Sequence, residues 1–341
     1  MPIPESDISI LIPTYRYRDK VGRAVRSALA SGAGEIIVID DHGRDGTIEM
    51  LAQFDDPRLT VIENPVNLGL WENHLAGLSR ATRPWIKFLQ ADDYMTDGAL
   101  AAFAEAADGA VSVVWSCPTM EEAATGERTL HNRIVAQWRI NSAELFALCL
   151  RVGWLLGRPT DVLLRADCIE SDPALWNSGM SLDLVVGVIA ATRGDVVLMP
   201  AGCVVNVNHA AQDARTQGPG KGLSRMVRSA EILHTRPEPE ITRFATQWAA
   251  VYLRVATRTT LSAIFRRKLA PAQAVGFWAR YARLALKAWS RSESRAAVRE
   301  ALRYRRTREG KRPPEIDALM EEQRRQPRPS PSFDASARPV K

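Results

Sequence analysis

The feature that most constrains this chain is a rhythm in its first ~120 residues, where short unbroken apolar runs alternate with stretches of helical period. "ISILI" (Ile8–Ile12) ends at Pro13, and "EIIVID", "RLTVIE" and "WIKFL" repeat its form. An apolar run without polar alternation is the pattern of a parallel strand covered on both faces. Between these runs, Val21, Val25, Ala28 and Leu29 fall at helix spacing before "SGAG". "DGTIEMLAQF" reads as a helix that Asp45 or Thr47 is placed to cap, and "LWENHLAGLSRA" as another. A further helix is expected from about Thr96 to Ala107. Strand and helix at this spacing predict an α/β fold with a doubly wound sheet, whose ligands bind at the carboxyl ends of the strands. Two such ends carry acids: Asp40 with Asp41, and Asp92 with Asp93.

From Val111 to about Val207 the pattern is mixed. Strand-like runs ("VSVVW", "DVLLR", "DVVLMP", "CVVNV") surround the helical pieces "NSAELFALCL" and "SLDLVVGVIAATRG". After Lys221 only helices are read. "AQAVGFWARYARLALKAW" sets Arg280, Arg283 and Lys287 on one face and Val275, Trp278, Ala282, Ala285 and Trp289 on another. Charge changes at the same place. From Lys221 onward there are 27 Lys/Arg against 11 Asp/Glu, a balance of +16, whereas the first 220 residues carry 18 against 28, or −10. With the turn residues of "RTQGPGKG", this shift places a boundary near 215–220. The expected organisation is a first domain over 1–220, a basic helical region over 221–310, and a largely disordered Pro-, Ser- and Arg-rich tail over 311–341.

Composition excludes several classes. With 46% hydrophobic and 25% charged residues the chain is of ordinary globular type. No apolar run approaches the ~20 residues of a membrane span, and "QWAAVYLRVATRTTLSAIF" is interrupted by Arg254 and Arg258. The acidic start "MPIPESDISILIPTY" does not have the pattern of a signal peptide. Cys117, Cys149, Cys168 and Cys203 have no C-x-x-C spacing, so neither a zinc knuckle nor a disulfide framework is suggested. A reduced, cytoplasmic compartment is expected.

The acid pairs admit two readings each. "IIVIDDHGRDGT" is either an Asp-rich turn into a capped helix or a strand end presenting Asp40 to a nucleobase N–H. In "KFLQADDYM", either Asp93 or Thr96 caps the next helix, or one carboxylate binds a divalent cation while the other orients a ribose or a metal-bound water. No G-x-G-x-x-G or Walker lysine loop follows "ISILI", so a nucleotide here needs another way to hold its phosphates, and a carboxylate-bound metal supplies one.

The order "ILIPTYRYRDKVGRAVRSAL", "EIIVIDDHGRDGTIEML", "NPVNLGLWENHLAGLSRATRPWIKFLQADDYM" resembles the inverting glycosyltransferases of family 2, closely over about the first 110 residues and more loosely to about Arg215. The resemblance implies a GT-A-type doubly wound mixed sheet and transfer of a sugar from a nucleoside-diphosphate donor to an acceptor hydroxyl. It also implies a Mg2+ or Mn2+ cofactor. Carried over by position, Pro13, Thr14 and Tyr15 would line the base with Asp40 bonding to it, and Asn67, Gly69 and Asn73 would shape the sugar-nucleotide pocket. Asp92 would face the donor and, with Asp93, hold the metal; His209 would contact the diphosphate or metal. The chain departs from the family pattern at Gly43, where Ser is usual, and at Gln90, where many members have Asp. In "NVNH" it keeps the histidine but has Asn in place of the Arg that often precedes it.

An inverting transfer also needs a base within reach of the acceptor hydroxyl. In the family this acid opens a helix in the second half, and "GMSLDLVVGVIAATRGD" places Asp183 there; a helix-terminal acid favoured by the helix dipole is the plainer alternative. "GWLLGRPTDVLLRADCI" resembles the acceptor-side wall, with Trp154 and Arg158 as contacts. The acceptor implied is a glycan or glycolipid of the cell surface. For the basic C-terminal helices three readings stay open: a solvated bundle packed on the first domain, a peripheral contact with an anionic membrane, or nucleic acid, for which no module is recognised. Two rival functions remain at this stage, a nucleotidyltransferase of related fold and a sugar-nucleotide-binding scaffold without activity.

Overall fold

The structure is a computed structural model that describes residues 1–130, 134, 136–178, 181–209, 219–265 and 271–306. Twelve strands are present among them: β1 Ile8–Thr14, β2 Glu35–Asp40, β3 Leu59–Glu63, β4 Trp85–Phe88, β5 Tyr94–Met95, β6 Val111–Ser116, β7 Thr119–Glu122, β8 Arg128–Leu130, β9 Trp138–Ile140, β10 Val162–Arg165, β11 Asp195–Met199 and β12 Val204–Asn208. The helices are α1 Arg18–Leu29, α2 Thr47–Leu51, α3 Leu70–Leu78, α4 Ala99–Ala106, α5 Ser142–Val152, α6 Pro173–Trp176 and α7 Leu182–Ala191. They continue as α8 Pro219–His234, α9 Pro239–Phe265, α10 Pro271–Ser290 and α11 Ser292–Arg306.

The main sheet has eight strands in the order β3-β2-β1-β4-β10-β6-β11-β9. The first four are parallel, and β10 runs antiparallel to both β4 and β6, so the sheet is mixed as expected. Every residue of β1 is buried because both faces are covered. Ile8, Ile10 and Ile12 pack with Val21, Val25 and Phe103 on one side, while Leu11 joins Ile37, Ile39 and Ile86 on the other. The two-residue period of a strand divides one apolar run between two cores.

From β1 the chain winds outward through β2 and β3, then returns to place β4 on the other side of β1. That reversal opens a crevice beyond the carboxyl ends of β1 and β4. A second sheet, β5-β12-β7-β8, stands at this end of the molecule. Its β5 begins directly after Asp93 and pairs antiparallel with β12 (Val205 with Tyr94). That pairing carries the chain beyond β12 back toward the acids.

The helices from Pro219 onward share a core with the sheet. Phe244, Trp248 and Val251 of α9 belong to one apolar cluster with Leu145 and Phe146 of α5. The Phe146 and Phe244 rings stack at 4.4 Å. The expected boundary near 215–220 falls partly outside the described residues, and the tail at 311–341 lies wholly outside them. Among the described residues no helix is long and apolar enough to cross a membrane. The four cysteines are buried and unbridged.

Candidate functional site

The parallel register sets Thr14 beside Asp40 at the carboxyl ends of β1 and β2. Both are buried, yet Thr14 Oγ1 and Asp40 Oδ1 have no hydrogen-bond partner among the described residues. The other Asp40 oxygen accepts from Gly43 N at 2.8 Å. Burial raises the Asp40 carboxyl above its ordinary range, against the pull of that Gly43 N–H, and nearby Asp45, Glu63 and Asp41 raise it further. Gly43 fits only as glycine in this backbone: a Cβ there would lie 2.9 Å from Arg16 N and 3.1 Å from Asp40 Oδ1. Pro13 lies in the buried part of β1, and Tyr15 just beyond the strand is exposed. Gly46, not Asp45 or Thr47, is the N-cap residue of α2, and Asp45 accepts from Thr47 N and Oγ1 beside it.

Asp41, adjacent to Asp40, has a different role. Its carboxylate accepts from Leu68 N and Gly69 N, both at 2.8 Å, and from the Asn64 amide at 3.0 Å. Gly69, at φ 98°, takes a backbone conformation that side chains disfavour. Asn67 donates to the Asp41 carbonyl. Asn73 donates to the carbonyls of Thr14 and Ile39 and accepts from Asn64. The "N-L-G-x-x-x-N" segment therefore ties α3 to the ends of β1 and β2 and shapes the crevice through backbone and amide contacts.

The two acids after β4 diverge. Asp93 is buried, with Oδ2 accepting from Thr160 Oγ1 at 2.6 Å and Oδ1 from Val207 N at 2.9 Å. The sequence predicts a metal ligand or a cap for α4 at Asp93; instead it joins β12 to the loop before β10, and both its oxygens are engaged. Gly98, not Asp93 or Thr96, is the N-cap residue of α4. Asp92 turns the other way, and its Oδ2 lies 3.0 Å from His209 Nε2. Their side chains are 10% and 9% exposed. Tyr17 sets its ring edge-on to the His209 imidazole at 5.6 Å.

Sequence reasoning missed the polar layer beneath this edge. Lys87, in the middle of β4, is fully buried and donates to the carbonyls of Phe88 and Thr160. Burial lowers its ammonium to about 8, opposed by the charge of Asp161, and raises Asp93 to about 8, aided by Asp92. Burial also raises Asp161 to about 7, while an Asn206 amide at 2.7 Å favours its charged form. A signal exists in the sequence: a lysine inside an apolar strand needs buried partners. Gln90 has an equally unexpected partner. Its amide lies 2.8 Å from Nε2 of buried His74, whose Nδ1 lies 2.6 Å from the Leu70 carbonyl. The carbonyl can only accept, so Nδ1 carries the proton and Nε2 accepts from Gln90.

On the far side of β4, Asp183 lies in the first turn of α7. Ser181 donates to its Oδ1 at 2.5 Å. Burial raises the Asp183 carboxyl; the Ser181 hydrogen bond and the charge of Arg225 in α8 oppose the rise. Asp183 and Arg158 line one small cavity with Phe88, Leu156 and Trp176. Trp154 departs from the expected acceptor contact. Its ring packs against Phe244 and Trp248, at 6.3 and 6.4 Å between centroids, because the apolar face of α9 covers it.

Against this geometry, the sequence profile described as Glycosyl transferase family 2 matches residues 9–158. Over these residues, a little under half of the chain, the sequence is similar to the family 2 glycosyltransferases. Succinoglycan biosynthesis protein ExoO of Rhizobium meliloti is 33% identical over 106 residues, which is 30% of this chain. The match spans only 30% of that relative's length. Among solved structures, residues 1–349 of S. aureus TarS in complex with UDP-GlcNAc align with a TM-score of 0.62 at 14% identity, covering 94% of this chain and 91% of that one. Mannosyltransferase PcManGT from Pyrobaculum calidifontis, in complex with GDP-Man and Mn2+, aligns at 0.51 with 16% identity, covering 89% and 86%. At these identities the likeness is one of fold, a GT-A arrangement.

Among the described residues no group of three or more His, Cys, Asp or Glu side chains is placed to hold a metal. Asp92 and His209 form a pair at the crevice. Two protein donors suit a divalent cation whose remaining ligands come from a diphosphate and water.

Proposed function

We propose that the chain transfers a sugar from a nucleoside-diphosphate donor to an acceptor hydroxyl, with inversion, in the synthesis of a cell-surface polysaccharide or glycolipid on the cytoplasmic side. The observation that carries this reading is the convergence of three features on one sheet edge. These are the unpartnered Asp40 Oδ1 and Thr14 Oγ1, the exposed Tyr15, and the Asp92–His209 pair.

In this reading Asp40 and Thr14 accept from and orient the base, and Tyr15 covers it. Asp92 and His209 hold Mg2+ or Mn2+, which when bound neutralises charge on the departing diphosphate. Asp93, Lys87 and Thr160 hold the edge in place from below. Asp183 takes the acceptor proton as the hydroxyl attacks the anomeric carbon from the face opposite the diphosphate. Its raised pKa suits a base, since a carboxylate with a higher proton affinity accepts a proton more readily. Arg158 binds the acceptor beside it.

The test is the variant Asp183→Asn, assayed for donor binding and for transfer separately. Intact binding with transfer lost supports Asp183 as the base. Surviving transfer places the base elsewhere, and a wild-type chain that binds donor but transfers to no glycan or glycolipid acceptor favours the scaffold reading.

A further inference from the structure

The helix α10 carries three faces where a packed helix needs two. Tyr281, Leu284, Ala285 and Ala288 are buried against the neighbouring helices. Val275, Trp278, Leu286 and Trp289 are 63, 43, 69 and 36% exposed. At ~100° per residue these four fall on one stripe along the helix, with the small Ala279 and Ala282 between them. The stripe extends onto α9. Trp278 Nε1 donates to Thr257 Oγ1, and Leu261, one turn further along α9, is 53% exposed. Arg283, exposed, flanks the stripe on its side away from the buried face, and Lys287, one turn on, is exposed with its Nζ 2.6 Å from His234 Nε2 of α8.

We propose that this stripe is a membrane-docking surface that lays α10 on an anionic bilayer. Large exposed apolar side chains beside basic ones, with tryptophans among them, are what an interfacial helix presents to headgroups and acyl chains. Charge complementarity selects this occupant. The region from Lys221 onward carries +16, from 27 Lys/Arg against 11 Asp/Glu, and anionic lipid attracts such a surface. The contact is peripheral, made by a helix lying along the surface. The inference extends the proposed transfer to a polysaccharide or glycolipid acceptor, but its test requires no transfer, so either can fail alone.

The full chain is mixed with vesicles of phosphatidylcholine alone or with phosphatidylglycerol, and bound protein is measured by co-sedimentation. Binding to the anionic vesicles should exceed binding to neutral ones by at least about tenfold and weaken with salt. Val275→Ser/Leu286→Ser/Trp289→Ser should lose at least about tenfold of that binding, with helix content unchanged, because all three side chains are exposed. Arg283→Glu/Lys287→Glu should lose the preference for anionic lipid. Three results overturn the proposal. They are no retention by anionic vesicles, equal retention of the serine variant, and a dimer in solution that the serine variant dissociates, which would make the stripe a contact between copies.

Discussion

His209 Nε2 and Asp92 Oδ2 stand 3.0 Å apart although 117 positions separate them in sequence. The pairing of β5 with β12 brings them together, since Asp92 lies just before one strand and His209 just after the other. Asp93, one residue on, faces inward and secures β12 through Val207 N. Two adjacent acids thus face opposite ways, Asp92 toward His209 and Asp93 into the core, and in the proposed function they divide binding from positioning.

That division predicts opposite outcomes for neighbouring variants. Asp92→Asn should weaken metal-dependent diphosphate binding by about tenfold or more while leaving unfolding unchanged. Asp93→Ala should cost about 2–4 kcal/mol in stability, because it leaves the Thr160 hydroxyl and the Val207 N–H without their acceptor. Asp93→Asn should cost less, since burial already favours the protonated acid that Asn resembles. Urea unfolding and nucleotide titration of the three variants check this.

Asp183 should set the acid limb of kcat/KM. As the proposed base it would act deprotonated, and burial raises its pKa, so the limb should lie above the ordinary carboxylate value of about 4. The Ser181 hydroxyl stabilises the charged form. Ser181→Ala should therefore move the limb to higher pH by about 0.7 unit, the equivalent of a ~1 kcal/mol hydrogen bond. A pH–rate profile that does not respond to this change would detach Asp183 from the limb.

His74 makes a stability prediction. Burial lowers its folded pKa to about 4, below the ordinary value of 6.5. As pH falls below 6.5 the unfolded chain takes up a proton that the folded chain does not, so stability falls. Between pH 6.5 and 5 the loss should be about 1.5 kcal/mol, and His74→Gln should lack this component. Urea midpoints of both proteins at the two pH values measure it.

Much of the fold is legible in the sequence because its signals are local. "EIIVID" and "WIKFL" read as covered strands without knowledge of their neighbours, and the acids at their ends follow from the same reading. The partition between Asp92 and Asp93 is not legible, because it depends on β12, more than a hundred residues away. The same holds for Trp154, whose covering comes from α9. Gln90 is visible as a departure from the family pattern, but its His74 partner appears only when α3 packs beside β4. Lys87 stands out as a charge inside an apolar strand, yet its partners come from the loop before β10, more than seventy residues on.

The central claim is that this edge binds a nucleoside diphosphate with a divalent cation. Calorimetric titration of the full chain with UDP, GDP and dTDP, each with and without Mn2+, tests it most directly. The expected result is saturable binding of at least one nucleotide that strengthens by about tenfold or more with Mn2+ and is lost in Asp92→Asn. Absence of binding by all three, or binding indifferent to both the metal and Asp92, would contradict it.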